Sequence, residues 1–327
     1  MATASLPETR AEQARPRAAA WLGLAGGLAL GLVLLAAALA KALDPRAFGE
    51  ELAALGLTGP LPPFVAALGA LALEALIGAL LVANLRRLPV LAAASALVAF
   101  FLFVTGRDAW RAAHGQVDAA SACGCFGNLV DRTPAEAFHQ DLLMLVPALA
   151  LAWLGRPGAT RRVRARAAAA LAAALAVTGL AAAAPDLPLD GWATRLDRGV
   201  EVASLCAGRD AERVCLTGIA PELATGRRLV LLVDISDPGF EALARDLNAR
   251  QRAGTEPPVT VLAEIPPERG QELFWTVAPA FELHDVPRAL LRPLYRTLPR
   301  SFLVETGRVT ATWSGLPGDL AVAREPR

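Results

Sequence analysis

Trp21 to Ala40 reads WLGLAGGLALGLVLLAAALA, an apolar run without a charged residue. A helix needs about 20 apolar residues to cross the hydrocarbon core of a bilayer, so this one stretch places the chain in a membrane unless it is a cleaved leader. Ala38-Leu39-Ala40 does imitate a signal-peptidase site, but the run is long for the apolar part of a leader and more runs follow. It is therefore read as a first span. Leu61 to Val82, Leu88 to Val104, Asp141 to Leu154 and Ala167 to Ala184 supply four more. The fourth is short and carries Pro147, and reaches spanning length only if its helix begins near Glu136. That start would bring His139 and Asp141 into the membrane interface. The fifth is mostly alanine, which is nearly neutral for insertion. Over the 327 residues, 54% hydrophobic content and a mean hydropathy of +0.42 exceed what an ordinary soluble protein carries.

The segments between the runs are read as connections. Met1 to Ala20 is expected to be a disordered cytoplasmic tail, Lys41 to Pro60 a loop, Arg86-Arg87 a tight polar turn, and Thr105 to Gln140 a long connection. Gly155 to Arg166 is a basic loop with Arg156, Arg161, Arg162, Arg164 and Arg166. Basic residues therefore collect in the tail, at Arg86-Arg87 and in that loop, and the alternate connections are poorer in them. By the positive-inside rule the amino terminus is cytoplasmic, and everything after Pro185 lies on the opposite side. Lys41 is the only lysine, and arginine and alanine dominate, a bias of GC-rich bacterial genomes. The expected location is thus a bacterial inner membrane, crossed several times, with the carboxy-terminal domain periplasmic. A net charge of +1 and the lack of a basic stripe interleaved with aromatics argue against nucleic acid as a partner. The lipid bilayer is the first partner.

Two residue groups in this half invite chemistry. Glu74 lies inside the second span, where a carboxylate is expensive and must face the bundle interior and find a partner. Structural pairing and proton handling are both open to it. Cys123-Gly124-Cys125-Phe126-Gly127, in the long connection, holds two of the four cysteines. A disulfide across one residue closes a very small ring and needs a sharply bent backbone, which Gly124 can adopt. Strain of that kind makes a bridge easy to reduce and suited to thiol exchange, so Cys123 and Cys125 are the first candidates for catalysis. Two inert packed thiols, or metal ligation with His114 and His139, are the alternatives, though neither histidine has regular ligand spacing.

From Pro185 the composition changes. Asp186 to Trp192 is a Pro-rich linker. Val200 to Leu216 reads as a hairpin carrying Cys206 and Cys215 on its two arms, either a structural bridge or a reactive pair. Arg228 to Ile235 is a strand, followed by the turn Ser236-Asp237-Pro238-Gly239 and a helix from Phe240 to Gln251. Val259 to Ile265 is a second buried strand and Pro267 to Trp275 begins another helix. Leu298 to Val304 and Arg308 to Trp313 pair around Glu305-Thr306-Gly307. The domain plan is 1–20 tail, 21–155 transmembrane domain, 156–185 basic loop with a fifth span, and 186–327 outer domain.

Trp21 to Leu154 resembles the methylamine-utilisation protein MauE and the wider DoxX-like group of redox-associated membrane proteins. The likeness rests on ALAKALDPRAF at the exit of the first span, on Glu74 followed by Gly78, and above all on CGCFG before the fourth. It implies a role in methylamine metabolism, where the disulfide-rich small subunit of methylamine dehydrogenase requires such proteins for maturation. The carboxy-terminal half is similar to the thioredoxin fold, with Pro299 falling where that fold places a cis-proline facing its active site. In thioredoxins the turn after the strand carries Cys-x-x-Cys at a helix amino terminus. Here Ser236-Asp237-Pro238-Gly239 takes that place without a thiol, which departs from the catalytic pattern and points to a docking module.

The expected fold class is a membrane α-helical bundle of four helices plus a fifth linking span, followed by an α/β thioredoxin-like domain. The expected function is thiol–disulfide exchange by Cys123 and Cys125 in support of an exported protein client or a periplasmic thiol protein, with a quinone as one possible electron acceptor. Gly124, Phe126, Gly127, Glu74, His139, Asp141 and Pro299 are its expected supporting residues. The competing reading is a non-catalytic membrane scaffold that docks the client through its outer domain.

Overall fold

The computed structural model describes residues 10–115, 133–154, 162–208 and 213–317. They form two compact units, with the division between Asp186 and Leu187.

The membrane unit holds α1 (Arg10–Ala42), α2 (Pro45–Ala54), α3 (Pro63–Val82), α4 (Leu88–Ala113), α5 (Pro134–Trp153) and α6 (Val163–Ala183). Among the described residues, five helices are long and apolar enough to cross a membrane, and only α2 is too short. The chain is a multi-pass membrane protein. α1 packs on α3 and α5, α3 also on α6, and α4 on α5. One apolar core gathers Leu30, Leu34, Ile77, Leu81, Leu91 and Leu145. A second, between α1, α3 and α6, is built from Ala38, Ala42, Leu71, Ala75, Ala174 and Val177. The α1–α3 crossing is made by Gly31 and Gly78. A Cβ on Gly31 would lie 2.7 Å from the Gly78 carbonyl oxygen, and one on Gly78 would lie 3.0 Å from that of Gly31. Small residues that let two backbones meet are the usual means of helix association in lipid.

Several connections differ from their sequence reading. The tail is helical from Arg10, because α1 extends well before its apolar part. The Lys41 to Pro60 loop contains α2, started by Asp44, whose carboxylate accepts the Ala47 N–H at 3.2 Å, with Pro45 in the first turn. These are a strong N-cap and a favoured first helical residue. α4 continues to Ala113, so Arg107, Asp108 and Trp110 lie on a helix and not in a loop. α5 does begin before Glu136, at Pro134. Arg164 and Arg166, expected in the basic loop, sit in the first turn of α6. Arg86 turns inward and is buried. Its Nη1 donates to the carbonyls of Ala152 (3.2 Å) and Leu154 (3.0 Å), and its Nε to Asn84 Oδ1 (2.9 Å). A guanidinium thus satisfies carbonyls that the end of α5 leaves open.

In the carboxy-terminal unit, β1 (Cys206–Ala207) and β2 (Val214–Cys215) make a short antiparallel pair. A five-stranded sheet is formed by β3 (Arg227–Leu232), β4 (Val259–Ala263), β5 (Glu282–Asp285), β6 (Arg300–Glu305) and β7 (Arg308–Ser314) in the order β5-β4-β3-β6-β7. β3, β4 and β5 run parallel, β6 is antiparallel to β3, and β7 to β6. The β6–β7 turn places Thr306 at φ +47° and Gly307 at φ +76°, a conformation that glycine adopts without steric cost. β3 is apolar without alternation because both faces of the sheet are covered. Leu229 and Leu231 pack with Phe240, Ala244 and Leu247 of the Phe240–Arg252 helix. Val230 and Leu232 face Leu205, Leu216, Leu223 and Leu290. Strand β5 was not expected from the sequence. Buried Arg300, at the start of β6, donates to Thr194 Oγ1 (2.7 Å) and to the carbonyls of Leu294 (2.7 Å) and Leu196 (3.1 Å).

Candidate functional site

Glu74 finds the partner that its depth demands. Lys41, in the last turn of α1, places Nζ 2.8 Å from Glu74 Oε2, and each side chain is only 2% exposed. The ammonium also sits 5.0 Å from the centre of the Phe48 ring and 4.9 Å from that of Phe101, both cation–π distances. Three helices and α2 thus close around one charge pair. Glu74 Oε1 is buried and has no hydrogen-bond partner among the described residues. The pair is neutral as a whole, yet it keeps one lone-pair site able to accept a further hydrogen bond or a proton.

Cys123, Gly124, Cys125, Phe126 and Gly127 lie outside the described residues, and so does a test of the alternatives for that motif. The residues flanking it are described. His114 caps the end of α4, with Nδ1 2.7 Å from the Trp110 carbonyl and its ring 4.3 Å from that of Trp110. His139, in the second turn of α5, has Nδ1 2.7 Å from the Ala135 carbonyl. Both rings are exposed, and Nε2 is the nitrogen left for other contacts. Asp141 is buried one half-turn further along α5.

In the carboxy-terminal unit the turn after β3 faces Pro299 across a cavity of about 200 Å³, lined among others by Asp234, Asp237, Phe240, Leu298, Pro299 and Leu316. The Leu298–Pro299 bond is cis. Two aspartates shape the turn. Asp234 Oδ1 accepts the Ser236 N–H at 2.8 Å, and Asp237 Oδ1 accepts the Gly239 N–H at 2.6 Å, just before the Phe240–Arg252 helix. The cavity offers an apolar floor and carboxylates at its mouth, and among its lining residues there is no thiol. Cys206 and Cys215 stand opposite each other on β1 and β2 and are joined by a disulfide. Their neighbours Leu205 and Leu216 belong to the core on the Val230 face of the sheet, and neither cysteine lines the cavity.

One polar cluster escaped the sequence reading. His284 Nε2 lies 2.7 Å from Glu222 Oε1, and Arg228 Nη1 lies 3.1 Å from Glu282 Oε2. Burial pushes the Glu222 carboxyl up, but hydrogen bonds from its own backbone N–H, from Glu282 and from His284 outweigh it and leave the group below the usual carboxylate range. Glu282 is held above that range by burial and by its hydrogen bond to Glu222, against the pull of Arg228. No spacing motif could have signalled the group, since Glu222 and His284 are separated by 62 positions.

Residues 19–154 match the family model of the methylamine utilisation protein MauE. The match covers the whole span from the start of the apolar part of α1 to the end of α5 and encloses Cys123 and Cys125. No curated protein and no solved structure matches the chain.

Proposed function

We propose that this is a membrane-embedded thiol–disulfide exchange protein that serves methylamine utilisation by forming disulfides in an exported client. The observation that carries the reading is the MauE match over residues 19–154, because the two cysteines of that segment are paired in Cys123-Gly124-Cys125. In the forward step a client thiolate attacks the Cys123–Cys125 disulfide, and a second client thiolate resolves the mixed disulfide. The client leaves oxidised, and Cys123 and Cys125 are left as two thiols. Their two electrons and two protons pass to a membrane-soluble two-electron acceptor of the quinone class or to another thiol protein. The distribution of arginines supports a cytoplasmic amino terminus in a bacterial inner membrane, with the cysteines and the carboxy-terminal unit on the oxidising side.

The carboxy-terminal unit is best read as a thioredoxin-like docking module. Three parallel strands, an antiparallel β6–β7 pair and Pro299 lining one cavity with the turn after the central strand support that reading. The thiol-free turn held by Asp234 and Asp237 supports docking over catalysis.

The test is an alkylation-shift redox titration of the four cysteines in the full-length protein, with client maturation followed in cells. Cys123 and Cys125 are expected to titrate together, and Cys123→Ser or Cys125→Ser to abolish client disulfide formation while the protein remains inserted. Normal client maturation in both serine variants would leave a scaffold that holds its client without electron transfer.

A further inference from the structure

Glu282 and His284 are two apart on β5, so their side chains leave the sheet on the same face. β5 is the outer strand of the sheet and pairs with β4 alone. The third member comes from the Pro221–Ala224 turn, where buried Leu223 anchors the backbone and Glu222 points toward β5. One ligand atom from each of Glu222, Glu282 and His284 lies within 4.8 Å of the other two. Arg228 fixes Glu282 from behind, bonding Oε2 at 3.1 Å and reaching Thr260 Oγ1 at 3.4 Å.

We propose that Glu222, Glu282 and His284 form a zinc(II) site on the edge of the carboxy-terminal sheet, with the fourth tetrahedral position open to water. The donor set selects the ion. One imidazole nitrogen and two carboxylates suit zinc, which takes three protein ligands and a water in open sites. Calcium takes six to eight oxygen donors and magnesium strict octahedral oxygen geometry, and neither matches an imidazole between two carboxylates. The charge balance agrees. Two carboxylate ligands carry one formal charge more than the Arg228 guanidinium offsets, so a dication is attracted, and Arg228 serves to orient a ligand.

Tetrahedral bonds of about 2.0–2.1 Å put neighbouring ligand atoms about 3.3 Å apart, so the 2.7 Å contact between His284 and Glu222 has only to open slightly. The ion would tie β5 to the Pro221–Ala224 turn and stiffen that edge of the sheet. The proposal does not depend on the thiol reading.

The test uses the full-length protein in detergent, stripped with chelator, with Cys123 and Cys125 alkylated so that thiolates cannot ligate. Calorimetric titration with zinc chloride should show one ion per chain, and zinc should raise the melting temperature. Cobalt(II) should give visible d–d bands without a thiolate charge-transfer band. His284→Ala and Glu222→Gln should each weaken zinc binding by about ten-fold or more. Glu222→Gln keeps a hydrogen-bonding group toward His284, so it reports on the site even if His284→Ala unfolds. His114→Ala together with His139→Ala should leave the affinity unchanged. Absence of zinc binding at millimolar concentration, or binding of wild-type strength in a folded Glu222→Gln or His284→Ala protein, would overturn the assignment.

Discussion

The membrane unit and the carboxy-terminal unit hold themselves together by opposite means. Where α1 meets α3, Gly31 and Gly78 bring two backbones together with no side chain between them. Where β3 meets the Phe240–Arg252 helix, the contact is made by Leu229, Leu231, Phe240 and Leu247, all buried. The solvent explains the difference. Lipid tails are as apolar as leucine, so helices in a bilayer gain little from hiding leucine and more from close approach. In water each square ångström of apolar surface buried contributes about 25 cal/mol. Buried guanidinium groups are handled alike in both units, Arg86 and Arg300 each donating to backbone carbonyls, whereas the bundle alone neutralises a buried lysine, Lys41, with a carboxylate, Glu74.

The sharpest way to break this contrast is Lys41→Met. It leaves the Glu74 carboxylate buried without its cation, and breaking such a pair costs about 3–5 kcal/mol. The midpoint of detergent-induced unfolding should fall accordingly. The charge-free double variant Lys41→Met/Glu74→Met should regain most of the loss, since apolar side chains replace both charges. A single variant as stable as the wild type would show that the pair carries no structural weight.

Leu231→Ala tests the other side. Leu231 is 0% exposed in the middle of the sheet, and truncation of such a leucine costs about 3 kcal/mol from lost transfer energy and the cavity left behind. Pulse proteolysis across a denaturant series should show destabilisation of the carboxy-terminal unit, with the fragments derived from the bundle unchanged. The smallest effect is expected for Gly31→Val, which adds volume where none is available. Overpacking costs about 1–3 kcal/mol, and it should appear in the membrane unit alone. If Gly31→Val were harmless, close backbone approach would not be what joins α1 to α3.

The same physics explains what could be read in advance. The spans were legible because the bilayer demands length and apolarity together, and both are linear properties of sequence. β3 was legible as a continuous apolar run, and the β6–β7 turn through Thr306-Gly307. α2 was hidden because a short half-buried helix looks like a loop until its Asp44-Pro45 start is recognised. The end of α4 was hidden because polar residues prolong a helix as readily as they leave a membrane. β5 reads Glu-Leu-His-Asp, which no strand pattern favours, and its strand character comes from pairing with β4. At the sites, sequence demanded a partner for Glu74 but did not name Lys41, placed 33 residues earlier. Pro299 and the turn after β3 line one cavity, and no local spacing signals that meeting. There was likewise no sign of Glu222 meeting His284, since turns and strands far apart in the chain meet only once the sheet is built.

Lys41 is the chain's sole lysine, and its ammonium is enclosed by Glu74, Phe48 and Phe101. All the remaining side-chain cations of the lysine and arginine type are guanidinium groups, which acylating reagents do not attack under mild conditions. A side-chain acyl label that is stable as an amide can therefore form at one place, and that place is closed while the bundle stays assembled. The chain carries a built-in chemical gauge of its membrane half: the rate at which its ε-amine is acylated measures how often α1, α3 and α4 come apart.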